Sequence, residues 1–88
     1  MDDWKKRMAR EYQELHARYL KLKDMTTRYE AAYDRCVEPE KYLGFKPNCP
    51  LTVLKEQQSA MGQYLHCLEK RAVIEEVNLE WYTEAVSN

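Results

Sequence analysis

The chain has 88 residues, with 14 Lys plus Arg against 15 Asp plus Glu and a formal net charge of −1. This length allows one small domain, and the charge balance excludes a protein that coats duplex nucleic acid, which needs a strongly basic face. Leu, Ile, Val and Phe are scarce, but the low net charge argues against disorder, and seven Tyr, two Trp and four Met supply apolar area instead.

Charged residues at the start, MDDWKKRM, leave no apolar stretch for a signal peptide, so no secretion is expected. No uncharged run approaches the roughly 20 apolar residues of a membrane span. Three cysteines without an export signal read as reduced thiols.

The first element is a long helix. Met8, Tyr12, Leu15, Tyr19, Leu22, Thr26, Tyr29, Tyr33 and Cys36 step by four and three, a heptad seam that predicts helix over 3–37. Asp2 and Asp3 suit its positive end, and Glu38-Pro39 stops it. In the break over 38–49, Pro39 is placed to open a helical turn that Gly44 closes, with Tyr42, Leu43 and Phe45 capping the core. Pro50 is read as the first residue of the second helix.

The second helix is predicted over 50–86. Its seam is Leu51, Leu54, Gln58, Met61, Leu65, Leu68, Ala72, Glu75, Leu79, Tyr82 and Val86, with Gly62 tolerated at about 1 kcal/mol against Ala. Lys5, Lys6, Arg7 and Arg10 begin helix one while Glu75, Glu76, Glu80 and Glu84 end helix two. An antiparallel all-α hairpin sets these blocks side by side, and a parallel pair does not. Glu75, on the seam, is expected to reach solvent or to pair with Arg7 or Arg10 rather than to act as a tuned acid.

Val53, Ala60, Cys67, Ile74 and Trp81 recur every seven residues as a second stripe on helix two, with Tyr64 and Val77 beside it. Two helices cannot cover both stripes, so the hairpin is expected to self-associate into a dimer or larger bundle, or to offer this stripe to a partner.

No phosphate loop, paired nucleophile and base, or metalloprotease motif is present, and an enzyme is not expected. Cys36, Cys49, His66 and Cys67 are the candidate zinc ligands. However, Cys67 falls on the order of 25 Å along helix two from the loop cysteines, too far to share one ion. No metal or cofactor is expected. His16 and His66 fall at similar heights with no evident carboxylate partner. Tyr and Arg alternate closely (Arg18-Tyr19, Arg28-Tyr29, Tyr33-Asp34-Arg35), a combination in which rings stack bases and guanidinium groups fork phosphates. Gln57, Tyr64 and Arg71 form a ladder seven apart, and the antiparallel register places Arg18 and Lys21 near Tyr64. A pocket beside Arg18, Lys21, Tyr64 and Arg71 would suit a small anion held between subunits, while the plainer reading of the tyrosines is large seam residues whose hydroxyls reach the rim.

The segment LTVLKEQQSAMGQYLHCLEKRAVIE (residues 51–75), with EYQELHARYLKLKDM (residues 11–25), resembles a family of small phage proteins first noted in crAss-like phages. Leu54, Gln57 or Gln58, Met61, Tyr64, Leu68 and Arg71 occupy the places of that family's pattern; the longer loop and the Cys- and Tyr-rich character depart from it. A looser likeness is to the helical-hairpin proteins by which phages sequester cyclic-nucleotide signals of host immunity. The resemblance implies a phage protein of one of two kinds. One is an oligomer that sequesters a cyclic nucleotide with Tyr64, Arg71, Lys21 and Arg18; the other inhibits a host or defence protein by direct contact. A coiled-coil adaptor is the third possibility.

Overall fold

The computed structural model describes residues 3–80. It contains three helices: α1 over Asp3–Asp34, α2 over Pro39–Leu43 and α3 over Leu51–Glu75. α1 and α3 pack along their length, and the cross-links descend in antiparallel order. Tyr12 bonds Glu69, Thr26 bonds Gln58, and Lys55 bonds Glu30. Among the described residues the fold is all-α and hairpin-like, as the heptads predict.

Both seams face inward over most of their length. Met8, Tyr29, Leu54, Leu65, Leu68 and Ala72 are buried, as is Thr26, and Tyr12, Leu15, Tyr19, Leu22, Gln58 and Met61 are half-buried. Ala9 and Ala32, off the predicted seam, are also buried, because small residues there let the backbones approach. The Thr26 hydroxyl, 3.0 Å from the Lys23 carbonyl of its own helix, also stands 2.6 Å from Gln58 Oε1 across the seam. The contact with Gln58 fixes one point of the register.

Both long helices stop earlier than their heptads predict, and by the same device. Cys36 (φ 56°) and Glu76 (φ 55°) take left-handed backbone. The next residue's amide then reaches back five residues: Val37 N–H donates to the Ala32 carbonyl at 3.0 Å, and Val77 N–H to the Ala72 carbonyl at 2.9 Å. This closes each helix end without glycine, at roughly 1 kcal/mol or more for a left-handed residue with a Cβ. Consequently Tyr33 and Cys36, expected on the seam, are exposed.

At α3 the turn has a further effect. Val77, expected on the outer stripe, is folded back and buried against Met8, Leu68 and Ala72, with Leu79 beside them. Gln13 Nε2 donates to the Leu79 carbonyl at 2.7 Å and holds the returning strand of chain. Burial of Val77 and Leu79 thus outweighs continued helix. The predicted continuation to 86, with Trp81, Tyr82, Glu84 and Val86, lies outside the described residues, as does Asp2.

The connection follows its turn chemistry. Pro39 is the first helical residue of α2, and Gly44 (φ 80°) closes it with its amide on the Glu40 carbonyl. Phe45, expected over the core, is 49% exposed; Tyr42 and Leu43 are half-buried. Pro50 is the cap residue rather than the first helical one: its ψ of 147° is extended, and its carbonyl accepts from Leu54 N–H at 3.3 Å.

Leu68 is 2% exposed at the centre of the Met8–Ala72–Val77 cluster. Leu68→Ala is expected to cost about 2–5 kcal/mol, a large share of the roughly 5–15 kcal/mol available to a small domain. Phe45→Ala should change stability by no more than about 0.5 kcal/mol. Urea midpoints of the two variants check both values.

Candidate functional site

On one flank, Tyr19 of α1 packs against Gly62 of α3. A Cβ there would stand 3.4 Å from Tyr19 Cε1, so the tyrosine ring lies against α3 where no side chain intervenes. This contact forms the wall of an open groove of about 410 Å³, lined by Tyr19, Lys55, Gln58, Ser59, Gly62, Gln63 and His66. Lys55, Ser59, Gly62 and His66 step by four and three along one face of α3. Lys55 and His66 therefore stand at opposite ends, about 16 Å apart along the axis.

Each polar group in the groove has a defined state. Lys55 Nζ is 2.9 Å from Glu30 Oε2. The Gln58 carbonyl oxygen is occupied by Thr26, which leaves its amide N–H groups as donors. His66 Nδ1 lies 3.8 Å from Glu69 Oε1, while Glu69 Oε2 accepts from the Tyr12 hydroxyl at 2.6 Å. His16 stacks on Tyr12, ring centroids 5.6 Å apart and nearly coplanar. Both histidines thus adjoin one Tyr12–Glu69 pair, the carboxylate partner that sequence spacing did not reveal for His66. The groove offers an aromatic ring, an ammonium and neutral donors, a set that matches a planar ring carrying an anionic group. Among the described residues no cluster of His, Cys, Asp or Glu is arranged to hold a metal ion.

The residues predicted as a binding site lie on the other flank of α3. Tyr64 donates its hydroxyl to Glu11, and Arg71 Nε is 2.7 Å from Glu75 Oε2. The bond to Glu11 raises the Tyr64 pKa first, then partial burial and the Glu11 charge, with Arg71 opposing. Glu75 is lowered chiefly by its bond to Arg71. Tyr64 and Arg71 do come together, but around two carboxylates. Arg18 and Lys21 are exposed and form no hydrogen bond or ion pair with either. Glu75 pairs with Arg71 rather than with Arg7 or Arg10, because a residue four positions away on the same helix is within easier reach than one across the hairpin.

The outer stripe of α3 is open. Val53, Ala60, Cys67 and Ile74 are exposed, Ile74 at 78%; Trp81 lies outside the described residues. No helix among the described residues is long and apolar enough to cross a membrane.

Sequence reasoning missed Lys55, Ser59, Gln63 and His66 as one lining. The available signal was Gly62, a glycine inside a helix whose other seam positions carry side chains. Its meaning depends on Tyr19 being opposite, which spacing within either helix does not state.

These features define a class: an antiparallel helical hairpin with a polar, aromatic-walled groove beside its seam. The Sequestin family profile matches residues 2–74, spanning α1, the connection and nearly all of α3. The chain belongs to the Sequestin family. No curated protein and no solved structure matches it.

Tyr12 has its pKa raised from 10.0 to about 12, by burial first and then by the Glu69 carboxylate that accepts its proton. Its folded pKa exceeds the unfolded value, so this contribution to stability is fully present below pH 10.0 and is lost as pH rises toward about 12. Denaturation midpoints across that window should fall, and Tyr12→Phe should make the fall shallower. A phenolate absorbance titration should show one late-titrating tyrosine fewer in that variant.

Proposed function

We propose that this protein is a non-enzymatic phage counter-defence factor, a homo-oligomer in the host cytoplasm that binds a nucleotide immune signal and sequesters it unchanged. Membership of the Sequestin family supports a sequestering role. The observation that carries the nucleotide reading is the Tyr19 ring lying over Gly62 between Lys55 and His66. A base stacks on the exposed part of that ring, a contact typically worth about 1–3 kcal/mol. Gln58, Ser59 and Gln63 supply hydrogen bonds to its edge, and Lys55 exchanges Glu30 for a phosphate oxygen.

This reading moves the ligand from the Tyr64–Arg71 flank to the Gly62 flank. An anion beside Arg71 would have to displace Glu75 and tolerate Glu11, whereas the groove presents its lysine with a single carboxylate partner. Arg18 and Lys21 then contribute to the general field rather than to contact.

Isothermal titration with a panel of cyclic mono- and dinucleotides tests the proposal. Tyr19→Ala should weaken binding by roughly 5- to 150-fold, the equivalent of that stacking energy. Lys55→Ala should weaken it with increasing salt dependence removed. Gly62→Ala should raise the melting temperature, since alanine is favoured by up to about 1 kcal/mol in a helix and its Cβ would stand 3.4 Å from Tyr19, at ordinary contact distance. Arg71→Ala should leave affinity unchanged; loss of binding there would return the site to the Tyr64 flank. Chromatography of the released ligand should recover it intact, and a cleaved product would show an enzyme instead. A panel with no binder overturns the nucleotide reading.

A further inference from the structure

The outer seam of α3 has an internal symmetry that names its own occupant. Val53, Ala60, Cys67 and Ile74 recur every seven residues, and Gln57, Tyr64 and Arg71 fall between them at steps of four and three. Helical geometry sets this seam about 110° around α3 from the buried Leu54–Leu65–Leu68 face and about 130° from the Gly62 groove. It is therefore a third face, and Val53, Tyr64 and Ile74 are 46%, 44% and 78% exposed on it. A four-and-three seam is the pattern by which a helix meets another helix, and the small Ala60 and Cys67 at its middle permit close approach.

We propose that this face packs against the same face of a second copy, with the two α3 helices antiparallel about a twofold axis beside Tyr64. This deepens the homo-oligomer of the proposed function, on which it rests for self-association alone; it asks nothing of the groove. In an antiparallel twofold contact, residues whose numbers share a constant sum meet. Centred between Gln63 and Tyr64, at a constant sum of 127, the pairing sets Val53 against Ile74 of the second copy, Ala60 against its Cys67 and Glu56 against its Arg71. Apolar meets apolar, small meets small, and twofold symmetry repeats the opposite-charge pair at the other end. The two Tyr64 residues stand one position out of register, in reach for ring stacking.

The parallel alternative fails on charge. In register it sets Glu56 against Glu56, Lys70 against Lys70 and Arg71 against Arg71, all repulsive. Charge complementarity therefore selects both the occupant and its direction.

A cysteine pairing experiment on the full chain decides it. In a Cys36→Ser, Cys49→Ser background, Ala60→Cys should give a disulfide-linked dimer on mild oxidation with glutathione, because position 60 faces Cys67 of the second copy. Adding Cys67→Ser should abolish the link. Without Ala60→Cys, the lone Cys67 should remain uncrosslinked, since the two Cys67 residues stand about 10 Å apart along the axis. Crosslinking of Cys67 to itself would instead establish the parallel arrangement and overturn the proposal. Sedimentation equilibrium supplies the second readout: the unmutated protein should exceed the single-chain 10.6 kDa, and Ile74→Asp, at an exposed position, should reduce it to that mass with helical circular dichroism unchanged. A single-chain mass for the unmutated protein at tens of micromolar overturns the proposal. A monomer that still binds nucleotide leaves sequestration standing, and a dimer that binds none does the reverse.

Discussion

Two contacts hold the register of α3 against α1, and most other features depend on where they fall. Tyr19 lies on Gly62, the point where α3 presents only backbone, and Thr26 bonds Gln58 inside the seam. A slip of one heptad would take Gln58 away from Thr26, leaving its hydroxyl only the Lys23 carbonyl of its own helix, and drive the Tyr19 ring against a side chain. Either change costs energy that a hairpin with nine buried apolar residues among those described, three of them alanine, does not have in excess. The groove is the other face of this constraint: the glycine that admits Tyr19 also leaves the space beside it open.

α3 consequently works on three sides. One side is the apolar seam to α1, one is the groove with Lys55 and His66 at its ends, and one is the exposed heptad through Val53, Ala60, Cys67 and Ile74. The tyrosines divide along the same lines. Tyr12 and Tyr29 place rings in or beside the seam and spend their hydroxyls on Glu69 and on the Cys49 carbonyl. Tyr19 stands at the groove, and Tyr64 caps Glu11 on the opposite flank. Leucine at these positions would pack, but it would leave Glu69, Glu11 and the loop carbonyl without these donors.

The acidic residues explain why the tyrosine–arginine pairing in the sequence was a poor guide to the site. Arg28 is held by Asp24, Arg71 by Glu75, and Arg10 lies near Glu14, each four residues away on its own helix. Such pairs form wherever the spacing allows. Of the arginines beside a tyrosine in sequence, Arg28 is thus already committed along the helix axis, whereas Lys55, whose partner Glu30 lies across the hairpin, borders open space.

Taken alone, the sequence determined the elements and their inner faces. Steps of four and three placed Met8, Thr26, Leu54, Leu65, Leu68 and Ala72 in the seam, and Pro39 with Gly44 marked α2, because these signals are local and each acts within a turn or two of helix. It also marked the exposed stripe on α3, since a second apolar period on one helix has no partner within a hairpin. Tertiary structure alone decided where the helices end and where the groove lies. The heptads run on past Asp34 and Glu75, but the left-handed turns at Cys36 and Glu76 stop them, the second because Val77 gains more by folding onto Met8 and Leu68 than by extending α3. The groove exists because residue 62 of one helix meets residue 19 of the other, and register between distant segments is a property of packing that neither segment encodes by itself.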